Sequence, residues 1–256
     1  AVLLKPRCPI RPARGGRLRS ERRLGYRSHR IRTMFGSRVT LITPAIAVDS
    51  LSQTFGHRRV LSGVHFAMNH GEVVSVIGVN GAGKSTLLKC IAGIRRHDPG
   101  VVHVEGRYVD ARQRWKVIAY LPQTSFLPGS LSVERAIRAF VPRRDSSGWV
   151  KSDRRVRSVL GRKIASLSGG ERRYLEFLLV MSLGRPITLL DEPFSEIEPL
   201  FVEGMQNVIR LHCAKQRCVA IVDQTPCTVG RVAMRILHLR NGYLTDDSPV
   251  FPHYTP

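Results

Sequence analysis

Gly78-Val79-Asn80-Gly81-Ala82-Gly83-Lys84-Ser85-Thr86 is the stretch on which the reading of this chain turns. It fits G-x-x-x-x-G-K-[S/T] at every fixed position. An apolar run, 73–77, precedes it, and Leu87, Leu88 and Ile91 follow at helical spacing. Strand, glycine loop, helix is the context in which such a loop holds phosphate. The glycines Gly78, Gly81 and Gly83 let backbone N–H groups turn inward, and the helix N-terminus adds partial positive charge. Asn80, Ala82 and Thr86 complete the loop. Lys84 can reach the β- and γ-phosphates, and the Ser85 hydroxyl can ligate Mg²⁺. Phosphate and Mg²⁺ are therefore the ligands this loop implies.

Working outward, Asp191 ends the apolar run 187–190, which lacks polar alternation and suits a strand buried on both faces. A carboxylate at that end of a parallel strand faces the ligand crevice of an open α/β sheet, placed for the metal. Glu192 follows where the chain turns and can polarise an attacking water as general base. The run 219–222 reads as another buried strand, and Val202, Met205, Val208, Ile209 and His212 recur at helical spacing between the two. Helix alternating with buried strand argues α/β. Further strands are expected at 46–48, 65–68, 101–104 and 117–121. Asn69-His70-Gly71 reads as a tight hairpin connection between neighbouring runs. Asn241-Gly242, between 235–239 and 243–245, reads as the type I′ turn of a hairpin. Residues 124–166 are basic and hold helix candidates at 132–140 and 153–160, so they look like a helical insertion.

A third motif is Leu167-Ser168-Gly169-Gly170-Glu171. Locally it is a helix start with Ser168 as N-cap. Taken with the loop 78–86 and Ile187-Thr188-Leu189-Leu190-Asp191-Glu192-Pro193, and in that order, it resembles the ATP-binding cassette (ABC) ATPases over residues 46–247. The resemblance implies a P-loop, mainly parallel core with an N-terminal antiparallel β-subdomain and an inserted helical subdomain. It implies two cassettes closing head to tail around two ATP molecules, with Ser168, Gly169 and Gly170 meeting the γ-phosphate held by the partner's Lys84. By the same resemblance Gln123, in Tyr120-Leu121-Pro122-Gln123, senses Mg²⁺ and γ-phosphate. Phe55, before Gly56, matches the aromatic that stacks on adenine.

Two positions depart from the family. Glu198 stands in Ser195-Glu196-Ile197-Glu198-Pro199 where an aspartate is usual. After 219–222 the family's switch histidine is absent, and Asp223-Gln224 occupies its place. Gln224 can hydrogen-bond the γ-phosphate through its amide but carries no charge. Hydrolysis is expected, and expected to be slow.

The 256 residues are 43% hydrophobic, which excludes a largely disordered chain, a collagen-like chain and a disulfide-stapled miniprotein. The net charge is +22, and residues 1–33 hold eleven basic side chains against Glu21 alone. That segment reads as a basic, disordered extension, with Met34 marking an alternative start. A polyanion-binding arm or a targeting peptide are the other readings. The nucleotide-binding domain is then 34–256. No run approaches the ~18–20 apolar residues that span a bilayer. Cys8, Cys90, Cys213, Cys218 and Cys227 share no metal spacing and read as reduced thiols.

The leading expectation is the ATPase subunit of a membrane transporter. It would be cytoplasmic, held peripherally at the inner face of the membrane by separate permease subunits, and paired with a second cassette. The rivals are a soluble ABC ATPase acting on nucleic acid or ribosomes, suggested by the charge, and a slow regulatory ATPase, suggested by Gln224.

Overall fold

A computed structural model describes residues 31–32, 41–96, 99–141, 148–195, 197–223 and 229–246. The first strands, in chain order, are β1 (Ile31–Arg32), β2 (Leu41–Ile42), β3 (Ile46–Phe55) and β4 (Arg58–Met68). Next come β5 (Val73–Ile77), β6 (Val101–Val104), β7 (Arg107–Tyr108) and β8 (Ile118–Leu121). The last are β9 (Ile187–Asp191), β10 (Cys218–Val222), β11 (Arg235–Arg240) and β12 (Tyr243–Asp246). The helices are α1 (Lys84–Ile91), α2 (Val133–Phe140), α3 (Trp149–Ser152), α4 (Arg154–Arg157), α5 (Gly169–Ser182) and α6 (Pro199–Cys213).

The main sheet runs β12-β11-β5-β10-β9-β8, parallel throughout except for β12. A separate antiparallel sheet has the order β4-β3-β6-β7. This is the α/β architecture expected, with strand β5 delivering the glycine loop at the middle of the main sheet.

Side chains on successive residues of a strand point to opposite faces, and the main sheet accordingly splits its apolar residues between two cores. Val73, Ala119, Leu121, Leu190, Val219 and Ile221 pack with α5, α6 and the helices of 124–166. Val74, Val76, Ile118, Ile187, Leu189, Ala220 and Val222 pack with α1 and the antiparallel sheet. Both faces are therefore covered, which is why β9 and β10 read as unbroken apolar runs.

Helix α5 starts on a reciprocal cap. Ser168 Oγ accepts from the Glu171 amide (3.1 Å), and Glu171 Oε2 accepts from the Ser168 amide (2.8 Å). Such caps are worth about 1 kcal/mol. The helix then buries Leu175, Phe177, Leu178 and Leu179, each worth roughly 1.5–3 kcal/mol. Asn241 and Gly242 have φ of 50° and 84°, as a type I′ turn requires, and join β11 to β12.

Three expectations need correction. Asn69-His70-Gly71 does not close a hairpin: β4 belongs to the antiparallel sheet and β5 to the main sheet, so this turn carries the chain between layers. Strands β3 and β4 span 10 and 11 residues, well beyond 46–48 and 65–68. Polar residues interleave there, and Ser50 at φ 54° shifts the register, so the apolar alternation shows only at one end. The stretch 153–160 yields the four-residue α4, and α3 precedes it unforeseen. Of residues 1–33 only Ile31 and Arg32 are described, paired with Ile42 and Leu41. Cys90, Cys213 and Cys218 are free and buried. Burial pushes their thiols up to about 11, 11 and 12. Cys8 and Cys227 lie outside the described residues.

Candidate nucleotide site

The loop between β5 and α1 is shaped by two glycines that tolerate no side chain. A Cβ at Gly78 would stand 2.5 Å from the Leu239 carbonyl oxygen of β11. One at Gly83 would stand 2.6 Å from Val60 Cγ1, on a backbone at φ +103° that only glycine adopts freely. Gly83 caps α1, whose first turn carries no acid, so the positive end of the helix is left for an anion. Lys84 folds back over the loop and donates from Nζ to the Gly78 and Val79 carbonyls at 2.7 and 3.1 Å. The Ala82 amide closes the turn on the Val79 carbonyl at 3.1 Å.

Asp191, fully buried at the end of β9, is gripped through both oxygens. Ser85 donates to Oδ1 and the Tyr120 hydroxyl to Oδ2, each at 2.8 Å. Burial, and next the charge of Asp191, raise the Tyr120 phenol well above its ordinary value, so it stays a proton donor. Glu192 has a left-handed backbone, φ +47°. Its amide donates to the Val222 carbonyl of β10 at 2.8 Å. Its Oε2 accepts from Gln123 Nε2 at 2.8 Å and from Ser195 Oγ at 3.4 Å.

These groups meet in one cleft of about 400 Å³, lined by Asn80, Gly81, Gly83, Lys84, Ser85, Thr86, Gln123 and Glu192, with Arg58 and Val60 of β4 opposite. The donor set fits the expected ligands. A glycine loop at a helix N-terminus and a lysine suit phosphate, and a hydroxyl beside a carboxylate offers the hard oxygens that Mg²⁺ takes.

Other expected residues stand elsewhere. Phe55 ends β3 with Arg95 stacked over its ring at 4.6 Å, and it does not line this cleft; its strand partner Arg58 does. Ser168, Gly169 and Gly170 sit at the start of α5, outside the cleft of their own chain. Glu198 takes the N-cap position of α6 and makes no side-chain cap bond. Gln224 lies outside the described residues. The sequence reading missed Tyr120, Arg173 and Glu176 as parts of the site. Glu176 carried a signal: a lone carboxylate inside the apolar run 174–181 needs a buried partner.

The family model described as "ABC transporter" matches residues 61–195, just over half of the chain. An uncharacterised ABC transporter ATP-binding protein of Rhizobium meliloti is 32% identical over 68% of this chain and 68% of its own length. The chain belongs to the ABC transporter family. The cytochrome c biogenesis ATP-binding export protein CcmA of Novosphingobium aromaticivorans is 31% identical, over 73% of this chain and 91% of that protein. The lipopolysaccharide export system ATP-binding protein LptB of Escherichia coli K12 is 32% identical over 64% and 73%. A solved ATP-binding subunit of an ABC transporter superposes with a TM-score of 0.72, covering 79% of this chain and 90% of that one at 24% identity. The ABC fold and the ATPase-subunit function expected from the three motifs stand with these findings. No helix among the described residues is long and apolar enough to cross a membrane.

Proposed function

We propose that this ABC ATPase subunit binds Mg²⁺-ATP in the cleft of loop 78–86 and hydrolyses it with Glu192 as general base. The observation that carries the reading is that Glu192 shares one cleft with Lys84 and Ser85 and is held there by Gln123. The loop amides other than that of Ala82, together with Lys84, take the phosphates, the lysine exchanging its contacts to its own loop for phosphate oxygens. Mg²⁺, held by Ser85 and Asp191 with Gln123 adjacent, supplies charge neutralisation at the phosphates. Glu192 accepts the proton of the attacking water, and Gln224 donates an amide hydrogen bond to the γ-phosphate. Phe55 stacks on adenine from the β3–β4 edge once its ring turns from Arg95.

A second cassette supplies Ser168, Gly169 and Gly170 to each nucleotide, which accounts for their standing away from their own cleft. Opening and closing of that homodimer drives separate permease subunits, which hold the protein at the inner face of the membrane. The nucleotide-binding unit is 34–256, with 124–166 as its helical insertion.

Lys84→Ala removes the main point charge on the phosphates and abolishes binding of Mg²⁺-ATP. Glu192→Gln keeps binding, blocks turnover and traps the closed dimer on size-exclusion chromatography. Unchanged affinity in the first variant, or undiminished turnover in the second, overturns the assignment. The charge of +22 supports a second reading, action on nucleic acid. Counterion release makes such binding fall with salt by a slope of about −0.9 per phosphate contact. Tight RNA or DNA binding by a chain starting at Met34, with stimulated ATPase, would establish it; binding lost with residues 1–33 would not.

A further inference from the structure

Arg173 is the fifth residue of α5, and little of it is exposed. Its guanidinium reaches out of the helix to three carbonyls. Nη1 donates to Pro122 at 2.6 Å, and Nη2 donates to Asp191 at 2.6 Å and Glu192 at 3.0 Å. One turn on, Glu176 is fully buried, and its Oε1 accepts from the Ser125 hydroxyl and from the amides of Phe126 (3.0 Å) and Leu127 (3.2 Å). The two side chains face each other, Nη1 to Oε2 at 3.9 Å. Together they grip the segment around Gln123 from both sides, by a carbonyl before it and two amides after it.

The same guanidinium fixes Glu192. That residue's amide is tied to Val222 and its carbonyl to Arg173, so both ends of its left-handed backbone are held. A non-glycine residue persists in that conformation when its surroundings impose it. Gln123 Nε2 on Glu192 Oε2 closes the circuit. Burying a charge pair is a poor way to glue a helix to a sheet, since apolar residues of similar volume do as well or better. A planar fork that spans three carbonyls does what no apolar residue can: it fixes two loops relative to each other.

We propose that Arg173, supported by Glu176, is the positioning residue through which α5 sets the geometry of Glu192 and Gln123. The proposal rests on the reading of Glu192 as general base. Ser168, the cap of α5, lies one and a half turns before Arg173 on the same rigid element. Contact of 168–170 with a partner's nucleotide is thereby coupled to the hydrolytic carboxylate.

Lysine retains the charge but offers a point and not a fork. The test uses the full chain, with Arg173→Lys and the isosteric Glu176→Gln. A fluorescent ATP analogue measures affinity, and steady-state assays give kcat and KM. Hydrogen exchange by mass spectrometry gives local opening. Arg173→Lys is expected to bind the analogue with little change and to melt somewhat below the parent, because it gives up buried hydrogen bonds. Its kcat should fall at least about tenfold at nearly constant KM, the mark of an interaction made only in the transition state. Exchange should rise at 123–127 and 191–192 and stay unchanged at 78–86. Glu176→Gln should give the same local pattern with a smaller loss of kcat. Parental kcat with parental exchange in both variants overturns the proposal. So does exchange that rises across the whole chain, which would make Arg173 a packing residue. Turnover that persists in Glu192→Gln faults the base reading instead, and the exchange pattern alone then decides the clamp.

Discussion

The two faces of the main sheet build their halves of the site by different physics. On the α1 face the site is a glycine-shaped loop and a helix end left uncompensated, with Lys84 and Ser85 standing on its first turn. On the α5 face it is a set of side chains carried by a helix: Ser168 at its tip, Arg173 and Glu176 reaching out to the loops that hold Gln123 and Glu192. At Gly78 and Gly83 the loop admits no added atoms, because Leu239 and Val60 already fill the space that a Cβ would need. The side-chain half tolerates atoms but not the loss of a donor or acceptor. Substitutions on the two faces should therefore fail in different ways.

The largest effect belongs to the α5 face. Phe177 is fully buried there, and Phe177→Ala should cost about 3–5 kcal/mol through lost transfer energy and the cavity left behind. Chemical denaturation would record it as a lower midpoint with an unchanged slope. Loss of nucleotide binding in conditions where the variant remains folded would contradict the separation of the two faces.

His212 of α6 gives the next effect. It is buried against Thr188, 3.3 Å from its hydroxyl. Burial, then the charge of Arg217, push the imidazole down from 6.5 to about 4. The unfolded chain therefore binds more protons between those values. Stability from this group is complete above about pH 6.5 and declines as pH falls toward 4, by up to roughly 3 kcal/mol. Urea midpoints between pH 7.5 and 4.5 would show the slope, and His212→Asn should flatten it. An unaltered slope would mean other groups carry it.

Gly83→Ala tests the α1 face. The left-handed backbone and the contact with Val60 should lower ATP affinity by at least about tenfold, since the loop must shift to admit a methyl group. Calorimetric titration would measure this, and the thermal transition should fall as well, since alanine is strained on that backbone. The smallest effect is at the tip of α5. Ser168→Ala removes one half of the reciprocal cap, for about 1 kcal/mol of stability. ATP affinity of the single subunit should stay the same while closure of the dimer weakens, and analytical ultracentrifugation with ATP would separate the two.

This contrast also explains what the sequence made legible. The glycine loop, Asp191 with Glu192, and the capped start of α5 are contiguous motifs whose local chemistry specifies their shape, so they could be read before the fold was known. Strands β9 and β10 were equally plain, because coverage on both faces leaves no polar alternation. Arg173 was not legible, because in sequence it is one more basic residue after Arg172, and its role depends on carbonyls 18 and 51 positions away. Tyr120 sat inside a stretch already quoted for Gln123, yet nothing local said that its hydroxyl would meet Asp191. The turn at 69–71 misled for the same reason: turn chemistry fixes a change of direction, and the choice of partner strand is made elsewhere.

The contact between Gly78 and Leu239 has a consequence for how the molecule comes into being. Strand β5 pairs with β10 and β11, both made long after it, and the wall of the glycine loop includes a carbonyl 161 residues downstream. At a synthesis rate of about 5–20 residues per second, roughly ten to thirty seconds separate the two ends of that contact. Through that interval an apolar strand and its loop wait for the neighbours that will cover them. A ribosome pausing between α6 and β11 would thus lengthen the exposure of β5, and the part of the chain most plainly written near residue 80 is among the last to reach its working shape.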